Sequence, residues 1–138
     1  MSSAGPQSRP EPVRVDALPE TGGSWSQAVA YRDLVAVSGQ IALDPQGKVV
    51  GQGSLVDQAE YVFSCIDAAL AAACSGRDNL IKITMFVTTL DGLAELRSAR
   101  DGWLGAARPA STLVQVSGLV HDDLLIEVEA LAARPARG

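Results

Sequence analysis

An α+β fold, in which two helices cover one face of a mixed sheet, follows from the order of hydrophobic periodicities along the chain. Two β-rich runs come first, then a long stretch with apolar residues at three- and four-residue steps, a strand, a second helical stretch and two closing strands. Strands outnumber helices and run in sequence-adjacent pairs, so the helices most simply lie together on one side.

The opening pair is a hairpin. Ala28 to Tyr31 leads into a run where Leu34, Ala36 and Ser38 alternate with Val35, Val37 and Gly39, and Arg32-Asp33 makes the turn. Asp44-Pro45-Gln46-Gly47 is a turn by its residue types, and Gly51 to Gly53 is a connector. Ser54 caps a long helix whose apolar face carries Leu55, Ala59, Val62, Phe63, Ile66, Ala69, Leu70 and Ala73, and Ser75-Gly76 stops it. Leu80 to Leu90 reads as a strand with Ile81, Ile83, Met85 and Val87 on one face and Lys82, Thr84 and Thr88 on the other. Asp91 caps a second helix with Leu93, Leu96, Trp103 and Leu104 inward, and Pro109 ends it. Two strands, Ala110 to Leu119 and Asp123 to Ala133, close the chain around a turn at Val120-His121-Asp122. The strand at Leu80 also carries Phe86 and Leu90 on its second face, more apolar surface than a one-sided sheet needs, which predicts a partner surface.

Composition bounds the rest. At 138 residues the chain fits one domain, assigned to 13–134 with flexible tails at 1–12 and 135–138. No apolar run approaches the length of a membrane span, and the proline-containing first dozen residues have no apolar h-region, so a cytoplasmic protein is expected. A net charge of -5 disfavours a nucleic-acid partner, which requires a basic footprint. Cys65 and Cys74 fall in one predicted helix about 13 Å apart at ~1.5 Å per residue, too far for a disulfide. His121 is the only histidine and has no second ligand beside it, so no metal is expected. No serine or cysteine sits in a nucleophile context, and Gly51-Gln52-Gly53 lacks the third glycine and strand-helix setting of a phosphate loop.

The residues that could carry chemistry each have two readings. Glu127 and Glu129 share one face of the last strand, where a solvated polar face is the commoner meaning. Ser38-Gly39-Gln40 follows an apolar strand and is either a bulge or a close backbone approach to a ligand. Trp25 is an anchor at the rim of the core or a wall of a cleft. Arg97 and Arg108 are solvent-facing arginines or guanidinium donors to a ligand.

Five landmarks in order tie these readings together: Trp25-Ser26-Gln27-Ala28, Val37-Ser38-Gly39-Gln40-Ile41, Ile81 to Val87, Pro109-Ala110-Ser111-Thr112-Leu113-Val114, and Ile126-Glu127-Val128-Glu129-Ala130. In order and spacing the chain resembles the Rid/YjgF (reactive intermediate deaminase, RidA-like) family from Trp25 to Ala133. That resemblance implies a chorismate-mutase-like homotrimer with clefts between subunits. It implies hydrolysis of a small imine or enamine without a cofactor. Glu127 matches the glutamate that activates water, with Trp25, Ser38, Gly39, Gln40, Ser111 and Thr112 around the substrate. Ser111 stands where deaminating members carry a carboxylate-clamping arginine, so Arg97 or Arg108 becomes a candidate for a displaced clamp. Two alternatives stay open: a trimer that binds a small ligand without catalysis, and a tailoring enzyme with a larger substrate.

Overall fold

The computed structural model describes residues 8–135. Of the tails expected at 1–12 and 135–138, residues 1–7 and 136–138 lie outside the described residues. Six strands form one sheet in the order β1-β2-β3-β6-β4-β5, with β1 Glu11–Val13, β2 Ala28–Tyr31, β3 Leu34–Ile41, β4 Leu80–Val87, β5 Ala110–Gln115 and β6 Ile126–Ala133. Helices α1 (Leu55–Ala72) and α2 (Leu93–Leu104) complete it. All pairings are antiparallel except β4 with β5, which α2 connects as a crossover.

The sheet is mixed and carries both helices on one face, as expected. Val35, Val37, Ile83, Met85, Val87, Ile126, Val128 and Ala132 are buried beneath Val62, Phe63, Ile66 and Leu70 of α1 and Leu96, Trp103 and Leu104 of α2. Ser54 caps α1 as expected, its side chain accepting from Asp57 N at 3.2 Å. Gln58 ties the helix to the loop before β6 from inside the core: its Oε1 accepts from Leu125 N at 2.8 Å and its Nε2 donates to Asp123 O at 3.0 Å. No helix among the described residues is long and apolar enough to cross a membrane.

Several local expectations are corrected. The flexible tail reaches too far, because Glu11 and Pro12 already belong to β1 and pair with Ala30 and Val29. Asp91 does not cap α2; Gly92 does, with φ 86, and no side chain caps the end. The stop of α1 falls before Ser75-Gly76. Cys74 adopts the left-handed conformation at φ 63, with Ser75 N donating to Leu70 O and Cys74 N to Ala71 O, the paired bonds of a Schellman end. Gly105 at φ 58, four residues before Pro109, terminates α2. Strands β4 and β5 stop at Val87 and Gln115, and β6 starts at Ile126. Ile81 leaves the face it was assigned to: the register slips between Leu80 and Lys82 against β6, so Leu80 is buried and Ile81 is 42% exposed.

The two helices are locked through Trp103. Its ring stacks on Phe63 at 4.4 Å between centroids, its Nε1 donates to Asp67 Oδ1 at 3.0 Å, and its carbonyl accepts from Arg77 Nη1 at 2.6 Å. Trp103→Ala removes a buried aromatic and strands part of Asp67, so urea unfolding should show a loss of about 3–5 kcal/mol. A loss under about 1 kcal/mol would show that the helices pack without this contact.

Candidate functional site

Glu127 lies on the sheet face that the helices leave open. Along β6, Ile126, Val128 and Ala130 turn into the core, while Glu127 and Glu129 turn the other way. Phe86 of β4 and Ile41 of β3 flank Glu127 in register, and Thr84 stands beside Glu129. Glu127 is half-buried between those apolar neighbours, and no hydrogen bond or ion pair among the described residues holds its carboxylate. Burial pushes its pKa up from the ordinary 4.5, and the like charge of Glu129 pushes it further.

Gly39 is what lets the carboxylate sit there. The β3 register shifts between Val37 and Gln40, and this bulge brings Gly39 so close that a Cβ on it would lie 2.0 Å from Glu127 Oε2. The bulge expected from sequence is present, and the backbone there closes on Glu127. Ser38 has its donors committed to the segment leading into β2, Oγ to Ser26 O at 2.6 Å and N to Gln27 O at 2.9 Å. It braces the segment that carries Trp25. Gln40 is buried and its Nε2 donates to Gln27 Oε1 at 2.9 Å. Trp25 is 52% exposed and walls a cavity together with Gly39 and Gln40.

Ser111 and Thr112 do not join this group within one chain. Parallel register sets Ser111 beside Ile83, on the helix-covered side at the sheet edge, where it lines a depression with Arg100 and Arg108. Thr112 lies beside Thr84 on the open face and accepts a hydrogen bond from Lys82 Nζ. Arg108 Nη1 donates to Gly105 O and Ala107 O, both at 2.8 Å, so it closes the end of α2. Arg97 is exposed on α2.

Two features escaped the sequence reading. Cys65, read from sequence only as a thiol too far from Cys74 for a disulfide, lines the Trp25 cavity together with Gly39, a juxtaposition that only the fold makes. Burial raises its thiol pKa, which suits a packing role rather than a nucleophile. The Gln27–Gln40 amide pair was the other, because its partners come from two strands. Among the described residues no cluster of histidine, cysteine and acidic side chains could hold a metal.

This architecture has relatives. Residues 15–134 match the family model described as Endoribonuclease L-PSP. The chain is 36% identical over 121 residues to Protein MMF1, mitochondrial, of Saccharomyces cerevisiae, spanning 87% of this chain and 83% of that one. The crystal structure of yeast Mmf1 superposes with a TM-score of 0.85 at 32% identity, covering 92% of this chain and 100% of that one. A RutC family protein of Pyrococcus horikoshii is 31% identical over 122 residues, 88% of this chain and 96% of that one. E. coli TdcF, crystallised with bound serine, matches with a TM-score of 0.80 at 29% identity, over 91% of this chain and 99% of that one. The chain belongs to the family that the model describes, Endoribonuclease L-PSP, which is the Rid/YjgF family its five landmarks resemble.

Proposed function

We propose that the protein is a homotrimeric hydrolase of small imines or enamines, in which Glu127 activates the water. The carrying observation is the Glu127 carboxylate itself: half-buried, unpaired and pressed against Gly39, with its pKa raised toward the range of a general base. Water adds to the imine carbon as Glu127 takes its proton, and return of a proton to nitrogen releases ammonia and leaves the carbonyl product. No cofactor is required. The net charge of -5 opposes an RNA substrate despite the family's name.

Assembly completes the reading. The open face carries Leu34 at 43% and Val114 at 39% exposure, and β5 offers an unpaired edge, so a second and third copy cover what one chain leaves bare. Clefts between copies are where Ser111 and Thr112 of one chain can approach Glu127 of another. Light scattering is expected to give three chain masses; a monomer at micromolar concentration overturns the trimer.

A rival reading, a trimer that binds its ligand without turnover, draws on Ser111, which offers one neutral donor where a guanidinium would make two charged bonds. The assay generates 2-iminopropionate with an amino-acid oxidase and follows its decay. We expect slow turnover by the wild-type protein and a gain of about tenfold with Ser111→Arg, the scale of a charge-assisted hydrogen bond. Saturable binding with no turnover of any imine would favour the rival.

A further inference from the structure

Strands β2 to β6 contain three charged side chains in all, Lys82, Glu127 and Glu129. Alternation with buried neighbours turns all three onto the face that the helices leave open. No ion pair among the described residues includes any of them. Cross-strand register divides the face into rows. Glu127 stands in an apolar row with Ile41, Phe86 and Val114, and Glu129 stands in the next row with Thr84 and Thr112.

Lys82 points away from both carboxylates. β5 lies on the opposite side of β4 from β6, and Lys82 Nζ reaches across to β5, where it donates to Thr112 Oγ1. The ammonium is therefore displayed toward the open edge of the sheet, and the Glu129 carboxylate toward its middle. Lys82 and Glu129 share a hollow of 230 Å³ with Ala36, Thr84 and Leu131. Further copies that cover this face would strip water from a lone cation and a lone anion, a cost that pairing offsets. A ring of three copies closes through head-to-tail contacts, in which one patch meets a different patch on the next copy. These two charges form such patches, with opposite signs.

Resting on the trimer proposed above, we propose that Lys82 of one copy forms an ion pair with Glu129 of the next, so that assembly leaves Glu127 as the one uncompensated charge on the covered face. The rows decide which carboxylate is taken. An ammonium carries three donors; it meets threonine hydroxyls beside Glu129, but only Ile41, Phe86 and Val114 beside Glu127. Glu127 then feels its neighbour less. After burial, the like charge of Glu129 is what raises its pKa, and a cation brought by the next copy offsets that repulsion.

The test reads assembly of the full chain by light scattering across a dilution series, with circular dichroism as the check on folding. Lys82→Glu and Glu129→Lys should each raise the concentration at which half the chains are assembled by at least about tenfold, since each sets like charges at every junction. The two variants mixed in equal amounts should recover most of that loss, because a mixed trimer has matched charges at two of its three junctions. The double variant should recover all of it. Recovery in the double variant without recovery in the mixture would put the pair inside one chain and overturn the proposal.

Lys82→Met and Glu129→Gln remove charge without reversing it, and they decide the matter even if the reversed variants do not fold. In Lys82→Met, Glu129 is left bare beside Glu127, so the acid limb of kcat/KM should move to higher pH. In Glu129→Gln the neighbour's cation is left bare, so the limb should move to lower pH. Limbs that stay in place or move together overturn the proposal. If no imine decays faster than in buffer, carboxyl NMR titration of Glu127 in the assembled protein should still give the two opposite shifts; the pair then stands and the hydrolase reading falls. A wild-type monomer removes the trimer and the pair together, whereas a wild-type trimer indifferent to both charge reversals removes the pair alone.

Discussion

Glu127→Gln is expected to lower hydrolysis by about a hundredfold or more while the melting temperature stays level or rises slightly. The first half follows from the role: a positioned general base contributes about 10²–10⁴ in rate, and an amide of the same shape cannot take the proton. The second half follows from linkage. Burial beside Phe86 and Ile41 and repulsion from Glu129 raise the folded-state pKa of Glu127 above its ordinary 4.5, so between those two values the folded chain binds more protons than the unfolded one. Stability contributed by this group is therefore complete below 4.5 and declines as pH rises to the folded value. At neutral pH the charged carboxylate is a net cost to the fold, and glutamine removes it. The same shift places the acid limb of the wild-type kcat/KM profile above 4.5, because the base must first lose its proton. Calorimetric melts of both proteins at pH 4 and pH 7, beside the rate assay, check the pair of claims. A variant that melts well below wild type at pH 7 would make Glu127 a residue of the fold and not of the reaction.

How far the sequence reaches depends on whether a feature is local or cross-strand. The α1 face, the Ser54 cap and the Arg32-Asp33 hairpin turn were legible because each is set by residues within a few positions of one another. Pairing across strands is not local. Alternation in β4 puts Ile81 with Ile83, but the slip between Leu80 and Lys82 against β6 overrides it. The same limit governs the site. Alternation alone sets Ser111 and Thr112 on opposite faces of β5, and only the parallel register with Ile83 and Thr84 decides which faces the helices. Glu127 was legible as a candidate, whereas its half-buried state was not, since Phe86 and Ile41 reach it from other strands. Three-residue β1 carries too little periodicity to separate from a tail. Left-handed Cys74 breaks the habit that assigns such positions to glycine, so Gly76 drew the stop signal instead.

Gly39→Ala should cost nearly as much activity as Glu127→Gln, and for a reason that leaves the fold standing. A methyl on Gly39 would come within 2.0 Å of Glu127 Oε2, 2.7 Å of its Cδ and 2.9 Å of its Cγ. All three atoms belong to the outer part of one side chain with no hydrogen bond to hold it, so the glutamate swings away and the backbone need not move. Stability should fall by about 1 kcal/mol, the lower end of overpacking. Activity should fall by about a hundredfold, because a carboxylate displaced by an ångström no longer holds its water against the reacting carbon. A double variant separates this account from a general weakening of the site: if alanine acts only by displacing the carboxylate, adding Gly39→Ala to Glu127→Gln should lower the residual rate by less than about threefold, since the two changes remove one interaction. Losses that multiply in the double variant would mean that Gly39 serves the substrate directly through its backbone, independently of Glu127.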